Sequence, residues 1–211
     1  MNSEQVATLR ALLAPTGWLD RTTQFGGALR RSARGPHSLL LVGTATAEPW
    51  HMAAHLADES RLAGLPELEP TLVRWSPPAG APAHLSVGLD RLREAGRGQT
   101  LLVVSPELAP AELLERVHDV RRLGATVFAL DRGDADLDEL AHESLAVPVR
   151  SAPVTFDAAQ HLVSAATTGA PVTLAASRAH RLSSLHGAEQ QPGLRARLAR
   201  LLDTVAGTQP D

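Results

Sequence analysis

Two histidines four residues apart, His51 and His55, follow Glu48 by one helical turn and form the set in this chain best suited to chemistry. On a helix that spacing puts both imidazoles on one face, with the carboxylate a turn earlier. Imidazole titrates near neutrality and a neighbouring carboxylate tunes it, so the set suits general acid–base catalysis. The same spacing lets two imidazoles meet one metal ion. A third reading is structural, with one histidine packed and hydrogen-bonded. The residue types leave all three open.

The elements that must position these residues follow from a repeated build: an apolar run, a short loop of small and acidic residues, then an amphipathic helix. Residues 38–43 are the first apolar run, 44–49 its loop, and the helix runs from 49 to 63; residues 100–105 are the second run, 106–110 its loop, and the helix spans 111–123. Continuous apolar runs mark parallel strands buried on both faces. Loops at the carboxyl ends of such strands are where open α/β sheets bind ligands. Glu48 lies in the first loop and Glu107 in the second, and the two loops are close if the strands are adjacent. Gly43 ends the first run, where the lack of a side chain lets a ligand approach closely.

Further strands are expected at 71–75, 126–130 and 145–149, with short helices at 87–95 and 137–142. The inward stripe of the 111–123 helix is read as Leu113, Leu114, Val117, Val120 and Leu123. Strands alternating with helices imply right-handed crossovers and a parallel sheet. Before the first strand, helices are expected from about residue 3 and from 19 to 33; beyond the last, at 155–168, 171–185 and 194–206, with a disordered tail at 207–211. The whole is read as one domain over residues 1–206.

The composition narrows the chemistry. In 211 residues there is no cysteine and no lysine, so thiol nucleophiles, thiolate metal sites and Schiff-base lysines are excluded. All twenty cationic side chains are arginine, a usage that fits the codon bias of a GC-rich genome, and the net charge is −3. Neither a nucleic acid nor an acidic membrane is an expected partner. With no leader pattern and no apolar run of bilayer length, a cytoplasmic location is expected.

The order of these segments resembles the sugar isomerase (SIS) domain family, chiefly small members of the sedoheptulose-7-phosphate isomerase type, over about residues 9–166. The resemblance is carried by Val103-Val104-Ser105, by Arg121-Arg122-Leu123-Gly124-Ala125-Thr126-Val127-Phe128-Ala129-Leu130, and by Leu137-Asp138-Glu139-Leu140-Ala141; Val42-Gly43-Thr44-Ala45-Thr46-Ala47 is placed like the family's glycine loop. In that loop Ala45 and Ala47 stand where the family carries Gly and Ser. In the second loop Pro106, Glu107, Leu108 and Ala109 replace most of its hydroxyls.

The resemblance implies a three-layer αβα sandwich around a five-stranded parallel sheet in flavodoxin-like order, with added helices at both ends. It implies a phosphorylated sugar as ligand, a homodimer or homotetramer, and no organic cofactor; no metal ligands are assigned, and whether His51 and His55 bind a metal stays open. The shared reaction would be proton abstraction at sugar C2. Glu48, His51, His161 and Glu107 are the expected catalytic groups, and Gly43, Thr44, Thr46, His55, His84, Ser105 and Gln160 the expected substrate contacts. Elimination from an amino-sugar phosphate such as N-acetylglucosamine 6-phosphate is the favoured outcome; aldose–ketose isomerisation and binding without turnover, as a sensor, are the alternatives.

Overall fold

The computed structural model describes Leu13, residues 16–149 and residues 154–169. The helices expected at 171–185 and 194–206, the tail, and all of the first helix but Leu13 lie outside the described residues. So do His180 and His186.

Five parallel strands form one sheet: β1 (Leu39–Val42), β2 (Thr71–Leu72), β3 (Thr100–Val104), β4 (Thr126–Asp131) and β5 (Glu143–Ala146), in the order β2-β1-β3-β4-β5. The all-parallel pairing is as the alternation of segments predicts, and the flavodoxin-like order is as the family resemblance implies. Among the described residues five α-helices accompany them: α1 (Trp18–Ser32), α2 (Trp50–Ala63), α3 (Ala111–Arg122), α4 (Ala135–Leu140) and α5 (Phe156–Thr167).

The period-two alternation of strands sorts the central apolar runs into two cores. Leu39, Leu41, Leu102, Val104, Phe128 and Leu130 pack with α1, α2 and α5 through Phe25, Leu29, Met52, Leu56, Phe156 and Leu162. Leu40, Val42, Leu101, Val103, Val127 and Ala129 pack with α3 and α4 through Leu113, Val117, Val120 and Leu137. This is a three-layer αβα sandwich.

Several boundaries differ from those expected. The segment 87–95 is not an α-helix; its core is a 3-10 helix, Leu89–Glu94. β2 keeps only two residues, because at Arg74 the chain bridges to Gly88 instead of continuing along β1. α4 starts at residue 135, because the Asp134 carboxylate accepts from the backbone N–H groups of Asp136 and Leu137. β5 accordingly runs from 143 to 146. It is an edge strand with exposed Glu143 and Ser144, so an apolar run does not mark it. Leu123, expected inward, is 51% exposed beyond the end of α3.

Candidate functional site

β1 lies between β2 and β3, so the chain leaves β1 through α2 toward one face and leaves β3 through α3 toward the other. The loops after β1 and β3 therefore diverge at the switch point of the sheet, where doubly wound folds open a crevice. Thr44, Thr46 and Glu48 lie on the first loop, Ser105 and Glu107 on the second.

At the start of α2 and the middle of α5, three imidazoles converge. His51 Nε2 is 2.9 Å from His161 Nε2. The ring centroids of His51, His55 and His161 are 4.3–4.6 Å apart, all pairs edge to face. One ring nitrogen of each lies within 4.8 Å of the others. Asp157, one turn before His161, brings its carboxylate to 3.6 Å from His51 Nε2 and 3.9 Å from His161 Nε2. Two i,i+4 pairs, His51/His55 on α2 and Asp157/His161 on α5, thus face one another. The two helices are in contact, and Met52 and Leu56 of α2 share one core with Ala159, Leu162 and Val163 of α5.

Burial, and next the neighbouring His51, hold His55 below the usual imidazole range; Asp58 and Asp157 pull the other way. A neutral imidazole can accept a proton or bind a metal ion. The three imidazoles are placed so that they could hold a transition-metal ion. With metal–nitrogen bonds of about 2.0–2.1 Å, two ligand nitrogens stand about 3.3 Å apart, so the His51–His161 pair need open only slightly. Three imidazoles would hold the ion, with Asp157 within reach as a fourth ligand.

Glu48 faces elsewhere. Its two oxygens accept from Arg74 Nε and from the backbone N–H of Trp75, each at 2.9 Å, and the pair is nearly buried. The Arg74 guanidinium also lies 4.1 Å from the centre of the Trp50 ring, and Trp75 Nε1 donates to the Gly43 carbonyl at 2.8 Å. These contacts brace the first loop. Gly43 is itself enclosed: a Cβ there would collide with the Ala47 carbonyl and sit 2.7 Å from Pro49 Cδ. Its role in the structure is a tight loop, not an open cradle.

At the crevice, Thr44 donates to Glu107 Oε1 at 2.9 Å and Thr46 donates to the same oxygen. These bonds hold the Glu107 carboxyl below its usual range, Thr46 contributing most. Ser105 Oγ donates to the Glu107 carbonyl at 2.5 Å. Gln160 is half-buried on α5 beside His161, whereas His84 is exposed on the 3-10 helix Ala83–Leu85.

Sequence reasoning missed Asp157, whose signal is its place four residues before His161. His142 has a structural place: its Nδ1 accepts from the Val127 N–H at 3.0 Å, joining the end of α4 to β4.

No family model matches the chain, and no curated protein matches it significantly. Solved structures do. A candidate phosphosugar isomerase from Silicibacter pomeroyi DSS-3 is 18% identical, with 96% of this chain covering 53% of that one at a TM-score of 0.50. This chain thus spans about half the length of that relative. A candidate sugar-binding protein from Salmonella typhimurium LT2 matches at 18% identity, covering 92% of this chain and 54% of that one, with a TM-score of 0.42. The c3406 protein of E. coli CFT073, solved as a complex, matches at 15% identity, 86% of this chain and 94% of that one, with a TM-score of 0.43. The first of these likenesses supports the fold alone, the three-layer αβα sandwich described above.

Proposed function

We propose that this chain processes a phosphorylated sugar by proton transfer at the carbon next to its carbonyl, using the imidazoles of His51, His55 and His161. The observation that carries the reading is the convergence of the three rings from two helices, with His51 and His161 in hydrogen-bond contact at 2.9 Å. One neutral imidazole takes the C2 proton while the electron pair moves toward the carbonyl oxygen, and a second, protonated imidazole returns a proton. Two close imidazoles resist being charged together, which favours one acid and one base. Asp157 steadies whichever of His51 and His161 carries the charge.

We favour elimination as the outcome. The C2 electron pair forms a C2–C3 double bond, and the C3 hydroxyl leaves as water with the returned proton. An amino-sugar phosphate such as N-acetylglucosamine 6-phosphate is the substrate class proposed, and the protein would assemble as a homodimer or homotetramer. The three-imidazole geometry also favours a second reading of the same centre, as the seat of a divalent metal ion. When bound, such an ion would polarise the sugar carbonyl and acidify the neighbouring C–H.

The test is proton NMR in deuterated water of N-acetylglucosamine 6-phosphate, glucosamine 6-phosphate and sedoheptulose 7-phosphate. Each is incubated with the protein, with His51→Ala and with His161→Ala, before and after chelation and zinc addition. Deuterium at C2 or an unsaturated product that both variants lose supports the proposal. A ketose product instead assigns isomerisation. Broadened ligand signals without exchange identify a sensor, and activity that disappears with chelator and returns with zinc selects the metal reading.

A further inference from the structure

The crevice at the carboxyl ends of β1 and β3 already holds an anion, and it belongs to the chain. Thr44 and Thr46 both donate to Glu107 Oε1, and their hydroxyl oxygens lie 3.2 Å apart. A hydroxyl has one proton to give. Thr44 also accepts the Ala47 N–H at 3.1 Å, which leaves its proton directed at the carboxylate. Thr44 is 2% exposed, so without Glu107 its proton is left to Thr46 Oγ1 at 3.2 Å or to an acceptor entering from the crevice.

The carboxylate is held by two threonine hydroxyls on one of its oxygens, its backbone by the loop. Ser105 Oγ fixes the Glu107 carbonyl, and Pro106 and Pro110 stiffen the loop to either side. The Glu107 side chain itself is exposed. It can swing into water by side-chain rotation alone, leaving the two hydroxyls in place.

We propose that Glu107 is a tethered anion that occupies a phosphate position, so that a phosphorylated ligand binds by displacing its carboxylate from Thr44 and Thr46. This rests on the phosphosugar reading above and adds to it: Glu107 sets how tightly the phosphate is held, and it opposes anions that offer too few contacts to displace it. A phosphate offers more acceptor oxygens than the single carboxylate oxygen now bound. Like-charge repulsion from Glu107 remains even when the side chain has swung aside.

Calorimetric titration of inorganic phosphate into the protein, Glu107→Gln, Glu107→Ala and Glu115→Gln tests this. Glu115 is exposed on α3 and controls for the change in net charge. Phosphate is expected to bind Glu107→Ala at least tenfold more tightly than the unaltered chain. Glu107→Gln should fall between, because its amide oxygen still accepts from the threonines but carries no charge. Glu115→Gln should match the unaltered chain. Equal affinity in all four proteins, tightest binding by the unaltered chain, or no phosphate binding by any of them overturns the proposal. The two readings fail separately: absent C2 exchange with a phosphate gain in Glu107→Ala removes the sugar chemistry and keeps the tethered anion.

Discussion

Gly26→Ala should loosen the histidine cluster although residue 26 lies outside it. Gly26 is where α1 crosses α5, and a Cβ there would stand 2.6 Å from Ala166 Cβ, 2.8 Å from the Ala166 carbonyl carbon and 2.9 Å from the Thr167 nitrogen. Carbon atoms at rest stand about 3.5–4.0 Å apart, so the helices must part by about 1 Å. Two of the three obstacles are backbone, which cannot turn aside. Overpacking costs about 1–3 kcal/mol. Replacing a helical glycine by alanine returns about 1 kcal/mol. A net loss of up to about 2 kcal/mol follows, at about 2–4 °C of melting temperature for each kcal/mol in a chain of this size. Because α5 also carries His161 and Asp157, the same displacement should stretch the His51–His161 contact of 2.9 Å. Gly27→Ala is the control, since its Cβ would meet only the movable end of Arg31 at 3.3 Å, and it should stabilise. Thermal melting and imidazole nitrogen-15 NMR of both variants check the argument. An unchanged or raised melting temperature for Gly26→Ala, with unaltered His51 and His161 signals, would refute it.

Three further outcomes follow from the structure. Glu48→Ala leaves Arg74 nearly buried without its carboxylate and the Trp75 N–H without its acceptor, a loss of about 3 kcal/mol that denaturant titration would read. Gly43→Ala should lower the melting temperature and weaken phosphate binding together, since the new methyl meets Ala47, Pro49 and the Val104 carbonyl where the two loops meet. Asp131 has its carboxyl pushed up, chiefly by burial, with the backbone N–H groups of Asp134 and Gly133 opposing. A carboxyl raised on folding contributes stability below its unfolded pKa and loses it as pH rises through the folded value. Asp131→Asn, which keeps the oxygen acceptor, should therefore gain in melting temperature relative to the unaltered chain as pH rises from about 3 to about 7. A difference that stays flat with pH would contradict the sign.

The sheet was legible because its central strands announce themselves: Leu39–Val42 and Thr100–Val104 are buried throughout, and only strands covered on both faces read as unbroken apolar runs. The edges were less legible. β2 and β5 have one neighbour each, so their residues answer to turns and caps such as Asp134 more than to a core. The shared face of His51 and His55 was also local information, fixed by helical geometry.

What joined them was not. His161 lies 110 residues from His51, and only the packing of α2 against α5 brings the rings to 2.9 Å. The spacing of residues within one helix says nothing of which face of another helix it will meet. Glu107 makes the same point at the crevice. Sequence placed it near the first loop, on the condition that β1 and β3 pair. The tertiary structure supplied that pairing and then chose the partner of the carboxylate, Thr44 and Thr46, by setting the two loops at the point where the sheet's crossovers diverge. The sequence alone thus determined strands, helices and the residue types able to move protons. Long-range packing, which no local periodicity records, decided which of those residues share a site.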